Sequence, residues 1–131
     1  MEQLEEQEEA LKKQSADLKQ TNLSLQQEQL RIAHDRVEAV RKAGGDDMDI
    51  IIEVHSLTDA NSAVQLGHML EEFNIFYFEE PTMPMNPANM KEIAQRVNIP
   101  IASGERIYTR WGYRPFFEDH SLHVIQPDLG N

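Results

Sequence analysis

The chain has 131 residues, enough for one ordinary domain or a small domain with an appendage. Twelve Lys+Arg against 23 Asp+Glu leave a net charge of −11, which excludes nucleic-acid binding as the default, because phosphate contacts need a basic surface. The absence of cysteine excludes disulfides, thiolate zinc sites and cysteine nucleophiles, and the apolar runs fall short of the ~20 residues of a membrane span.

No signal-peptide core follows Met1, so a cytoplasmic location is expected. Residues 1–43 carry nine acidic and seven basic groups, a net of −2, and contain no Gly, Pro or aromatic residue. All six Gly and all six Pro lie in 44–131, where fourteen acidic and five basic groups leave −9. This change of character predicts two modules, a long coiled-coil-like helix over 1–43 and a globular part over 44–131.

In the first module Leu4, Leu11, Leu18, Leu25 and Ile32 recur every seven residues, as heptad position d does. The matching a positions are Met1, Glu8, Ser15, Asn22 and Gln29, four of them polar, so the seam is half apolar and pairs weakly. At ~1.5 Å per residue, 2–42 would span ~60 Å. A helix of that length needs a partner, or else stays solvated and frayed. The phrases Leu4-Glu5-Glu6-Gln7 and Leu18-Lys19-Gln20-Thr21-Asn22 resemble those of signalling helices that link sensor and kinase modules. No nucleotide-binding glycine loop accompanies them, and His34 reads as an ordinary polar-face residue.

The second module alternates strand and helix signals. Apolar, β-branched residues predict a strand over 49–55, followed by a helix over 59–72 with Thr58 or Asp59 as its cap. A second strand over 75–78 ends at Glu79-Glu80-Pro81, and a helix follows from Pro87 to Val97. A third strand starts at Ile99 and ends at Ser103-Gly104-Glu105. After a helix around 109–119, a fourth covers 122–125 and closes at Gln126-Pro127-Asp128. Continuous apolar strands joined by helices predict parallel pairing, buried on both faces. The expected fold class is α/β: four parallel βα units, half of a TIM-type barrel, preceded by a long N-terminal helix.

One acid stands at the end of each predicted strand: Glu53, Glu79, Glu105 and Asp128, separated by 26, 26 and 23 residues. Parallel βα units bring strand C-termini to one face, where four carboxylates would repel unless a cation compensates. Oxygen ligands without Cys suit Mg²⁺ above all. The alternative is that each acid caps a helix or faces solvent.

From about Ala33 to Asn131 the chain resembles the enolase superfamily, in particular its acid-sugar dehydratases of the mandelate-racemase type. The phrases that carry the resemblance are Glu53-Val54-His55, Phe78-Glu79-Glu80-Pro81, Ser103-Gly104-Glu105-Arg106 with Ile107 to Gly112, and Gln126-Pro127-Asp128. The resemblance implies that Glu53, Glu79 and Glu105 are Mg²⁺ ligands, Glu79 rather than Glu80 because the family ligand is the first of the pair. It implies an acid/base role for His55, and for Asp128 that of the carboxylate orienting a catalytic His on the next strand. Arg106, Tyr108, Arg110 and Trp111 would line a sugar-acid pocket, or simply pack the loop and helix. Glu53 departs from the usual Asp, one methylene shorter.

The resemblance covers the third to sixth strand units and part of a barrel helix over 33–43, so a fragment or a chimera with a coiled-coil leader is expected. Half a barrel has open sheet edges. A homo-oligomer is therefore the expected partner arrangement, with a self-covered sandwich as the alternative. Three functions stay open: an inactive oligomerising fragment, an active Mg²⁺-dependent dehydratase completed by self-assembly, and a coiled-coil interaction module.

Overall fold

A computed structural model describes residues 2–130. Met1, the first heptad a position, and Asn131 lie outside the described residues. The chain divides into two compact units, 1–36 and 37–131. No described helix is long and apolar enough to cross a membrane.

Helix α1 runs from Glu2 to Gly44. No glycine or proline interrupts it before Gly44, and Glu, Gln, Lys and Leu favour the helical state throughout. Ion pairs one turn apart line it: Glu8–Lys12 at 2.8 Å, Glu28–Arg31 at 2.6 Å and Arg31–Asp35 at 2.9 Å. The Arg31 guanidinium hydrogen-bonded to Glu28 holds that carboxyl below its usual range. Leu4, Leu11, Leu18 and Leu25 of the heptad row are each more than half exposed.

Within the second unit, Val37 at the end of α1 is buried in the core. Arg41 fastens the same helix end by donating to the carbonyls of Phe73 (3.1 Å), Asn74 (3.1 Å), Gly45 (2.8 Å) and Met48 (2.6 Å). Strand β1 (Ile51–Glu53), helix α2 (Ala60–Leu70), strand β2 (Tyr77–Glu79), helix α3 (Pro87–Arg96), strand β3 (Ile101–Ser103), helix α4 (Thr109–Asp119) and strand β4 (Val124–Ile125) follow. A 3₁₀ turn, Glu71–Phe73, continues α2.

Local chemistry sets the helix starts. Asp59 caps α2, accepting from the Ser62 amide at 3.0 Å and the Ser62 hydroxyl at 2.6 Å. Asn86 caps α3 through the Ala88 amide at 3.1 Å, with Pro87 in the first turn.

The four strands form one parallel sheet in the order β1-β2-β3-β4. The register aligns Ile52, Phe78 and Ile101 in one row and Glu53, Glu79, Ala102 and Val124 in the next. Period-2 alternation sends these rows to opposite faces. Phe78 and Ile101 are fully buried and share a core cluster with Val64, Leu70, Met90, Ile93, Tyr113 and Phe116.

On the other face β1 and β2 depart from the expected double burial, whereas Ala102 of β3 is fully buried. Ile51 is 46% exposed, Glu53 is exposed, and Tyr77 and Glu79 are half-buried. The strands are also shorter than their apolar runs. Helical side chains supply the core of one face, and burial on the second needs a layer of its own.

Candidate functional site

The ends of β1, β2 and β3 bear the acids singled out in the sequence, and the backbone just beyond each strand decides where they go. His55 (φ +54°) and Ser56 (φ +58°) take the left-handed conformation, as does Glu80 (φ +47°). Non-glycine residues adopt it at a cost of order 1 kcal/mol or more, so neighbouring contacts must hold it. Here the ladder continues past the strands: the Ser56 amide donates to the Glu80 carbonyl at 2.9 Å, and the Glu80 amide to the Ala102 carbonyl at 2.9 Å.

After β3 comes Gly104 at φ +154°. A Cβ there would lie 2.3 Å from the Tyr113 hydroxyl and 2.6 Å from the Gln126 backbone nitrogen. Only glycine lets the chain turn in that space and present Glu105. Tyr113 donates to the Gly104 carbonyl at 3.1 Å. Burial, and secondarily the charge of Glu80, push its hydroxyl above the ordinary tyrosine range.

These turns bring Glu53, His55 and Glu105 together: one ligand-capable atom from each lies within 4.8 Å of the others. His55 Nδ1 stands 3.0 Å from Glu53 Oε1 and 3.8 Å from Glu105 Oε1. All three side chains are solvent-accessible. Glu79 is not in this group; it is the register partner of Glu53 on the same face of the sheet.

Glu80 turns to the opposite side and is completely buried. It accepts from the hydroxyls of Ser56 and Ser103 and from Arg106 Nη1 at 3.1 Å. The other end of that guanidinium, Nη2, reaches His55 Nε2 at 3.1 Å and Glu105 Oε1 at 3.2 Å. Sequence reasoning missed this network, having considered Glu80 only as the neighbour of a ligand. Its signal was the adjacency of two acids on a strand end, since alternation must send one of them inward, where it needs donors.

The remaining candidates lie elsewhere. Tyr108 is exposed and, with Arg106, Met85 and Phe116, lines a concavity of ≈ 260 Å³. Arg110 lies over the Trp111 ring, 4.9 Å from its centroid, and Trp111 is exposed. Asp128 accepts from the Gly130 amide at 2.8 Å and lines a separate hollow with Arg110, Phe117 and Ile125.

A family model described as "Enolase C-terminal domain-like" matches residues 3–131. The chain belongs to this enolase family. Among curated relatives, D-xylonate dehydratase of Haloferax volcanii is 36% identical over 93 residues, 71% of this chain and 23% of that protein. A crystal structure of an enolase-superfamily member from Salmonella Typhimurium shares 63% identity with a TM-score of 0.75, covering 76% of this chain and 25% of that one. A racemase from Streptomyces coelicolor, solved with bound magnesium, shares 26% identity with a TM-score of 0.76, covering 78% and 29%. This enolase-family chain thus spans about a quarter of the length of the relatives it matches.

Proposed function

We propose that the chain carries the metal-holding and proton-transfer part of a sugar-acid dehydratase. The observation that carries this is the convergence of Glu53, His55 and Glu105 from the C-terminal ends of β1 and β3, which flank β2 in the parallel sheet. In the reaction, a base removes the proton α to the substrate carboxylate, the β C–O bond breaks, and the hydroxyl leaves as water with a proton from an acid. The resulting enol becomes a 2-keto acid. The dehydratase names of the curated relatives support this substrate class.

The residues present fit a hard divalent cation. Glu53 and Glu105 bring two exposed carboxylates together beside the His55 imidazole, and the half-buried Glu79 is the register neighbour of Glu53, so like charges gather where a cation would compensate them. Glu53, Glu79 and Glu105 would hold Mg²⁺, which supplies Lewis-acid polarisation of the substrate carboxylate. His55 is the proton-transfer group, and among the described residues it is the one histidine grouped with Glu53 and Glu105. Asp128 orients a second such group contributed by another segment.

With one imidazole at an open site, the chain by itself is an oligomerising, inactive portion of this machinery. Self-assembly through the sheet edges or the exposed leucine row of α1 is the route by which it would be completed. The test is a panel of aldonates and aldarates with Mg²⁺, scored for 2-keto product, alongside thermal melts with and without the metal. Mg²⁺ should raise the melting temperature, by the equivalent of ~2.7 kcal/mol at a hundredfold excess over Kd, and Glu79→Gln should remove the gain. No product is expected from the chain alone. Turnover lost in His55→Asn would overturn the inactivity, and melts indifferent to Mg²⁺ would overturn the metal site.

A further inference from the structure

The Glu80–Arg106 pair is not explained by metal binding, yet it touches the proton-transfer residue. Glu80 is a fully buried carboxylate with three donors drawn from three places: Ser56 beyond β1, Ser103 at the end of β3, and Arg106 in the loop after it. It therefore ties the ends of three strands together. Through Ser56 it also holds the left-handed turn on which His55 stands.

Arg106 extends that hold to the ring. A guanidinium has donors and no acceptor. At 3.1 Å from Arg106 Nη2, His55 Nε2 can take part in a hydrogen bond only by accepting. At the other end of the ring, Nδ1 faces the Glu53 carboxylate at 3.0 Å, and an ionised carboxylate only accepts. Both contacts demand the same proton placement.

We propose that Glu80 and Arg106 are positioning residues that hold His55 as the Nδ1–H tautomer, with the Nε2 lone pair kept as an acceptor. Glu80 anchors Arg106 from the buried side, and Arg106 carries the constraint across to the exposed ring. If His55 serves in proton transfer, which rests on the dehydratase reading, Nε2 is the atom that receives the proton.

Nitrogen NMR of the uniformly ¹⁵N-labelled full chain tests this, with a chelator present and at alkaline pH. The His55 resonances are identified by their loss in His55→Gln. The wild type should show a protonated Nδ1 and an unprotonated Nε2. Arg106→Lys, whose single ammonium cannot span Glu80 and His55, leaves the Glu53 contact as the remaining constraint and should move the two ring-nitrogen resonances toward each other while the amide spectrum stays dispersed, and so should Glu80→Gln. A protonated Nε2 in the wild type would overturn the proposal, as would ring-nitrogen resonances unchanged in folded Arg106→Lys. If neither variant folds, the wild-type spectrum still decides. Melts indifferent to Mg²⁺ would sink the functional reading and leave this spectrum unaltered, so the two failures are distinguishable.

Discussion

Replacing Gly104 with alanine probes the turn that delivers Glu105. The backbone there sits at φ +154°, and the added Cβ would meet the Tyr113 hydroxyl at 2.3 Å and the Gln126 nitrogen and carbonyl carbon at 2.6 and 2.8 Å. A side chain held in a glycine-only conformation costs ~1–3 kcal/mol. Relieving overlap with the backbone entering the segment after β4 costs ~1–3 kcal/mol more, because that backbone is bonded to β3 through Gln126 N and Ser103 O at 3.1 Å. Displacing Tyr113 forfeits a hydrogen bond worth ~1 kcal/mol. Gly104→Ala should therefore lose at least ~3 kcal/mol, a large share of the ~5–15 kcal/mol that holds a domain of this kind together. Urea unfolding followed by tryptophan fluorescence measures it, since Trp111 lies in the neighbouring helix α4. The expected midpoint shift is ~1–3 M at an ordinary slope. Gly112→Ala is the control: its Cβ meets one atom, Ile107 Cγ2, at 3.2 Å. There the helical preference for alanine over glycine, ~1 kcal/mol, offsets the contact, and stability should stay within ~1 kcal/mol of wild type. Equal midpoints for Gly104→Ala and wild type would refute the close approach and with it the account of how Glu105 is placed.

Two further outcomes follow from features outside the site. Hydrogen bonds from the Ser62 side chain and amide hold the Asp59 carboxyl below its usual range, so its contribution is present above the unfolded value of ~3.9 and is lost as pH falls through the folded value. Asp59→Ala should accordingly cost ~1 kcal/mol at neutral pH, with the gap to wild type closing in acid, as denaturation curves at several pH values would show. On α1, Leu18→Gln changes an exposed side chain of the heptad row and should leave helicity by circular dichroism unchanged, while lowering the mass of the proposed oligomer in light scattering. An unchanged mass would exclude the leucine row as the contact.

The alternation of strands and helices, the parallel order and the helix starts were legible in the sequence because they are local. Asp59 sits three residues before the amide it caps, and Pro87 opens α3 wherever the rest of the chain lies. Glu53 and Glu79 stand at matching register positions at the ends of β1 and β2, whereas Glu105 lies beyond Ala102, the register partner of Glu79. Which side chains meet there was decided by tertiary structure. His55 reaches Glu53 and Glu105 because two consecutive left-handed residues follow β1, and nothing in the local sequence requires them. Glu79 and Glu80 are indistinguishable as letters, yet pleating turns one toward the open face and the other into a pocket of donors from Ser56, Ser103 and Arg106. Those donors lie 23 to 26 residues away along the chain, and only the pairing of β1, β2 and β3 brings them within hydrogen-bonding distance.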